Sequence, residues 1–463
     1  MTNYLRQIRI RKTIILTALF FAIIPSENSS AQDTTSADSK ESVILISQNV
    51  RGVERERRSA DYTLRKAIVK GLYLPREVVR GILLSTGKSV IIISEDNFIA
   101  RAEDFFFVFD KKVGWYPSVL LSSGFSPYYG LNLFYRDDSK SVLLGGRYRN
   151  RFKSELHAKV NYNGLINDKV WQISLLSLSD RFNDQIFFGF GANPVTDSRN
   201  NFKVTSEEFG RYFQERIKFQ AVLGFRPSEK LELFYTSFYQ KRKIGNSGIG
   251  GLTIEDVFDV ALLPGVGFEG KQIYNETAFK YDTREFKKSI SSGKMLSGYL
   301  GYSQGVDGDK SKFIRMGFDV AAFIPVIKDN RIIVPRLIVD KIENLDDEVP
   351  ISFTEYPRQR AFRGVSTRKL IATDNISFIP SLQYEWPLAY QVSGQLFTDF
   401  IIVSEDLSSL TFDNARWAIG FGLVTHQGRS EFGKIEFAYG SEGVKFLLGF
   451  GSPLHKNERT DWK

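Results

Sequence analysis

The chain has no cysteine among its 463 residues. Disulfides, thiolate metal sites, cysteine nucleophiles and a lipid anchor on cysteine are all excluded together. Histidine is scarce as well: His157, His426 and His455 lie far apart in sequence, so a histidine metal cluster is not expected. Beyond the N-terminus no run of eighteen or more uninterrupted apolar residues occurs, which excludes crossing a membrane by α-helices. The net charge is +9, yet Lys and Arg are scattered with Asp and Glu beside them. Nucleic-acid binding needs clustered cations, so no nucleic-acid partner is expected. No cofactor and no metal are called for.

Aromatic residues, by contrast, make up 14% of the chain, as the interfacial girdles of a transmembrane β-barrel require. The clearest single strand is Glu155-Leu156-His157-Ala158-Lys159-Val160-Asn161-Tyr162, where Leu156, Ala158, Val160 and Tyr162 share one face and the polar residues share the other. Stretches of this kind, among them 115–123, 169–178, 209–224, 230–240 and 444–450, recur about sixteen times, an even number as bacterial barrels have. The connections sort into two sets. Those after odd strands include the long 179–208, 241–271 and 342–373; those after even strands are short, such as Asp137 to Lys140 and Pro387 to Ala389. Long extracellular loops and short periplasmic turns separate in this way. The pattern predicts an all-β fold: a transmembrane antiparallel β-barrel of about 16 strands over residues 113–450, with a short N-terminal helical periplasmic segment.

Ahead of the barrel, residues 1–31 read as a cleaved signal peptide, with a basic start, an apolar core from Ile14 to Ile24 and small residues at Ser29-Ser30-Ala31. Residues 32–112 form a short periplasmic segment, partly helical, in which Pro75 opens an amphipathic stretch carrying Val78, Val79, Ile82 and Leu83. Gly81 to Ser89 imitates a phosphate-binding loop but places five residues between its glycines, where four are required. Residues 451–463 form a C-terminal tail. The acidic run Glu343, Asp346, Asp347 and Glu348 lacks the regular spacing of a calcium loop and reads as a solvated segment.

The most informative stretch is the basic loop Arg358-Gln-Arg-Ala-Phe362-Arg363-Gly364-Val365-Ser-Thr-Arg368-Lys369, on the long-connection side. The strands that follow it carry Ser381, Gln383 and Glu385, then Gln395 and Asp399, on their inward faces. With Phe362-Arg363-Gly364-Val365, Leu382-Gln383-Tyr384-Glu385-Trp386 and Phe397-Thr398-Asp399 in this order, the chain resembles the BamA/TamA surface-antigen superfamily of outer-membrane barrels. Tyr281-Asp282-Thr283-Arg284 and Val444-Lys-Phe446-Leu-Leu448-Gly-Phe450 resemble that family's turn after the eighth strand and its terminal strand. The resemblance implies that the loop folds into the lumen as a lock in which Phe362, Arg363 and Gly364 descend and Arg363 meets Asp399; Glu385, which shares a face with Gln383 one step along the same strand, is expected to stand in for the missing glutamate as its second partner. Three positions depart from the family pattern: Val365 replaces an aromatic, Gln383 a glutamate and Ile401 a glycine.

Function under this resemblance means insertion, assembly or translocation of polypeptides at the cell outer membrane of a Gram-negative bacterium. The implied partners are outer-membrane lipid and lipopolysaccharide, a client polypeptide and a periplasmic partner protein. Two other classes compete. A passive porin-like barrel needs only the fold, and a barrel hydrolase would place inward His157 beside a serine and a carboxylate. A lone inward histidine is more commonly a hydrogen-bonding lumen residue, so no enzymatic activity is expected.

Overall fold

The computed structural model describes residues 107–450 apart from 109–111, 123–127, 138, 150–152, 167–168, 204–208, 287–289, 328–330, 358–361, 365–368, 371–372, 390–391, 414 and 428–429. The signal peptide, the Pro75 stretch, the phosphate-loop imitation and the C-terminal tail lie outside the described residues, as do Val365, Arg358 and Arg368.

Among the described residues sixteen long antiparallel strands form one sheet, to which three two-residue strands, Phe107–Val108, Glu285–Phe286 and Lys369–Leu370, are added. They are β1 (Val113–Ser122), β2 (Tyr128–Arg136), β3 (Lys140–Arg149), β4 (Lys153–Ile166), β5 (Lys169–Phe187), β6 (Gly210–Ser228), β7 (Leu231–Asn246) and β8 (Glu269–Asp282). The second half comprises β9 (Ile290–Gly305), β10 (Lys312–Ile327), β11 (Arg331–Asn344), β12 (Ile376–Ala389), β13 (Val392–Ser404), β14 (Arg416–Gln427), β15 (Ser430–Gly440) and β16 (Gly443–Phe450). Each pairs with its neighbours in the chain, and β16 returns to β1. Among the described residues helix is confined to the single turns Ile254–Val257 and Phe353–Glu355.

The two faces of the sheet reverse the rule for soluble proteins. On β4, Leu156 is 68% exposed and Val160 and Tyr162 are exposed beside it, while His157, Lys159 and Asn161 are buried on the other face. The outward rows continue as Phe219 and Leu223 on β6, Leu233 and Tyr235 on β7, Phe279 and Tyr281 on β8, and Leu296 and Leu300 on β9. Inward lie Gln214, Arg216, Lys218 and Gln220 on β6. Charges on that side are paired across strands: the register partners Asp180 and Arg216 meet at 2.6 Å, and Arg147 meets Glu155 at 3.4 Å.

Several strands run further than their alternation suggests. β5 continues from 178 to Phe187 and β7 from 240 to Asn246. Past the apolar band the outward residues Ser179, Arg181, Lys241 and Lys243 are polar, so the period-2 signal disappears although the ladder does not. These extensions support a packed cap. Phe187, Tyr212 and Ile244 at the strand ends bury against Phe190, Phe258 and Phe353 from three long connections, and Phe187 and Phe353 approach ring to ring at 4.6 Å.

Between the last and first strands the partners among the described residues are Leu447↔Ser122, Leu448↔Leu121 and Gly449↔Leu120, and β15 and β16 pair from Gly433↔Phe450 to Gly440↔Gly443. The start of β1, Val113 and Gly114, pairs instead with Val108 and Phe107. Directly opposed residues of an antiparallel ladder lie about 4.5–5.5 Å apart, within disulfide reach. In a chain without cysteine, the double replacement Leu121→Cys with Leu448→Cys should therefore cross-link on oxidation. Cross-linking of Leu121→Cys with Val444→Cys at equal yield would show that this register is wrong.

Candidate functional site: an arginine anchored in the lumen

Phe362, Arg363 and Gly364 belong to the connection between β11 and β12, and the side chains they meet come from β12, β13 and β14. Phe362 is 3% exposed and packs with Ile379, Ile401, Val403 and Ala418. Gly364 lies so close to β14 that a Cβ there would stand 2.6 Å from the Ala418 Cβ and 2.8 Å from the Phe362 ring. Apolar packing on one side and a missing side chain on the other set the arginine between them.

The guanidinium is then used as a fork. Arg363 Nε and Nη2 donate to the two oxygens of Asp399 at 2.7 and 2.6 Å, and its main-chain N–H adds a third bond at 3.2 Å. Nη1 donates to Gln383 Oε1 at 2.7 Å and Nη2 also to Ser381 Oγ at 3.2 Å. The guanidinium carbon lies 3.7 Å from the centre of the Phe397 ring, in cation–π contact. Ser381 faces Asp399 in the ladder and Gln383 faces Phe397, so four inward side chains of two paired strands receive one planar cation. The pair is shielded: the Arg363 side chain is 14% exposed and that of Asp399 1%.

Glu385 takes a different role from the one expected. Arg363 does not bond it; Gln383 Nε2 donates to Glu385 Oε2 at 3.2 Å, so Glu385 holds the amide whose oxygen faces the guanidinium. Gln383 stands one inward position nearer to the fork and fills the place of the second acceptor. One cation therefore meets one carboxylate directly, and the second acceptor is neutral.

Two further links were not legible in the sequence. Arg199, in the connection between β5 and β6, forms a bidentate pair with Asp374 at 3.0 and 3.1 Å, and is itself held by Asp197 at 2.9 Å. Glu355 likewise turns inward onto Arg242 and Arg315. Neither loop residue sits in a periodic segment; the available signal was the length of the connections, since long ordered loops must fold onto something. Burial alone would push the Asp197 carboxyl up, but hydrogen bonds from the Arg199 side chain and main chain more than offset it and hold it below the usual carboxylate value. A depressed carboxylate contributes stability that is fully present above its ordinary pKa and is lost as pH falls through the folded value. Hydrogen exchange in residues 188–203, corrected for intrinsic rates, should be flat down to about pH 5 and accelerate only in stronger acid. Arg199→Ala should exchange faster already at neutral pH; exchange rising steadily from neutrality in the unaltered chain would contradict the sign.

The other sequence candidates fall as follows. Asp282 and Arg284 close the turn after β8 through bonds of 2.9 and 2.7 Å. His157 is buried on the inward face, its Nδ1 3.4 Å from Glu155. Asp346 serves its own turn, accepting from the main chain of Glu348 at 3.2 Å. Among the described residues no group of three or more His, Asp or Glu side chains is arranged to hold a metal.

No protein-family model and no curated protein matches the chain. The comparison with solved structures does find relatives in fold. BamA from Haemophilus ducreyi, in a crystal structure lacking POTRA domains 1–3, superposes with a TM-score of 0.52 at 12% identity, over 73% of this chain and 70% of that one. The fold is that of a BamA-type barrel. CdiB from Acinetobacter baumannii aligns over 73% of this chain and 60% of its own at 10% identity, with a TM-score of 0.44. Identities this low carry the architecture alone, so what this BamA-type barrel does has to be argued from its own residues.

Proposed function

We propose that this BamA-type barrel resides in the outer membrane of a Gram-negative cell and acts in the insertion, assembly or translocation of polypeptides there. The observation that carries the reading is the Arg363 fork on Asp399, which ties a long connection into the lumen. Two features agree with it. The outward face is apolar and rich in Tyr and Phe, the surface that lipid and lipopolysaccharide cover. The β1–β16 seam is where the last strand meets the first, with Leu447, Leu448 and Gly449 opposite Ser122, Leu121 and Leu120, and a strand-bearing client would be received at that edge. No catalytic step is assigned: His157 is buried beside Glu155 and its surroundings are those of a lumen hydrogen-bonding residue.

Depletion of the protein followed by a census of outer-membrane and surface proteins tests this. Loss of a defined set of barrels or exported polypeptides, restored by the unaltered gene and not by Arg363→Ala, is the expected result. An unchanged census together with lost uptake of small solutes would replace the reading with the passive pore.

A further inference from the structure

We propose that the outward face of β5 to β8, just past the apolar band on the long-connection side, is a binding site for the phosphates of a lipid A-type glycolipid. The proposal rests on the outer-membrane reading above, which makes this side the outer leaflet. Three successive rungs of the ladder carry it. The lowest is apolar: Phe219 on β6, Tyr239 on β7 and Ile273 on β8 stand side by side, and Phe219 and Ile273 are exposed. The highest is charged and balanced, since Arg181, Glu215, Lys243 and Glu269 follow one another across β5 to β8 with alternating sign. Arg181 meets Glu215 there at 2.8 Å. On the rung between them, Lys241 of β7 stands directly opposite Lys271 of β8, with Ile217 and Ser179 completing the row.

Like charges directly opposed in a ladder destabilise it unless counter-charge reaches both. The chain supplies part of that charge: Lys241 meets Glu269 at 2.8 Å and Lys271 meets Asp307 at 3.6 Å. Neither carboxylate serves its lysine fully, because Glu269 also stands opposite Lys243 and Asp307 lies 65% exposed in the connection above. Toward the membrane the next rung offers Phe219, Tyr239 and Ile273 and no carboxylate. An anion arriving from the leaflet completes the set. Lysine stems lie along apolar surface while their ammonium groups reach headgroup level, and an ammonium holds phosphate as a point charge. The cations are confined to this sector. On β14, β15, β2 and β3 the outward rows end on the same side in Trp417, Tyr439, Tyr129 and Tyr148, all exposed. A phosphate that carries acyl chains fits both parts of the patch, the paired lysines and the apolar rung beneath them. A free phosphate fits the lysines alone.

Native mass spectrometry of the purified full chain tests the site with three probes: lipid A carrying both phosphates, the same lipid dephosphorylated, and phosphatidylglycerol. The phosphorylated form should bind on the order of tenfold more tightly than the dephosphorylated one, and Lys241→Gln combined with Lys271→Gln should remove most of that difference. Lys241→Arg with Lys271→Arg should keep it, because both charges remain. Heat-modifiable migration reports whether each variant folds; if the glutamine pair does not, the two forms of lipid A on the unaltered chain still decide. Equal binding of the two forms, or a folded glutamine pair that binds like the unaltered chain, overturns the site. Phosphatidylglycerol bound as tightly as lipid A, or displacement of lipid A by inorganic phosphate, overturns the choice of ligand. Fractionation of cells tests the outer-membrane reading apart from the site. A chain absent from the outer membrane refutes that reading, whereas an outer-membrane chain whose lipid A binding ignores both lysines refutes the site alone.

Discussion

Arg363→Ala should destabilise the barrel by about 3–5 kcal/mol, the range for removing one partner of a buried ion pair, and should abolish restoration in depleted cells. The reason is what it leaves behind. Asp399 is fully buried, and its two carboxylate oxygens are bonded by Arg363. Arg358→Ala and Arg368→Ala delete the same charge from the same connection, and a lock that depends on the fork predicts a smaller loss from either of them. Arg363→Lys should recover only part of the loss, because an ammonium keeps the charge without the planar fork that spans Asp399 and Gln383. Combined with Asp399→Ala, Arg363→Ala should be no worse than alone, since the pair acts as a unit. Gln383→Ala should cost more than Glu385→Ala, because Glu385 reaches the guanidinium only through the amide it holds. Urea titration of the heat-modifiable band measures all of these. Equal effects at the three arginines would mean that the loop is merely a cationic surface.

Gly420→Val is expected to have the second largest effect, about 1–3 kcal/mol, as overpacking of a filled site does. Gly420 faces inward on β14 opposite Phe397, and a Cβ there would stand 2.4 Å from the Phe397 ring and 2.3 Å from the Phe437 carbonyl oxygen. The absent side chain is what allows the ring to lie flat beneath Arg363. Displacing the ring removes the cation–π contact and tilts the guanidinium away from Asp399. In a Phe397→Ala background, part of the cost of Gly420→Val should disappear, because the ring no longer competes for the space. Gly248→Ala, where nothing lies within 4 Å, serves as the neutral control. An unchanged cost in the Phe397→Ala background would show that the carbonyl of Phe437 alone is the obstacle and that the glycine has no bearing on the arginine.

What could be read from the sequence follows from the geometry of strands. Successive side chains point to opposite faces, so Leu156, Val160 and Tyr162 declare an apolar outside and His157, Lys159 and Asn161 a polar inside without any knowledge of neighbours. The same rule puts Ser381, Gln383, Glu385 and Asp399 on one interior, and the alternation of long and short connections places the arginine loop on one end. Strand number and facing are local properties of the chain, and the sequence alone determined them. Strand ends are not: β5 runs on to Phe187 because its outer part packs under loops, not because its own residues alternate.

Which acceptor meets Arg363 was likewise beyond the sequence. Gln383 and Glu385 share a face, and only the height at which the loop descends decides between them. That height is set by Phe362 against Ile379 and Ala418 and by the close approach of Gly364, contacts between residues far apart in the chain. The pairing of Arg199 with Asp374, and of Glu355 with Arg242 and Arg315, was decided in the same way, because a charge in a non-periodic loop carries no record of its partner until folding brings distant segments together.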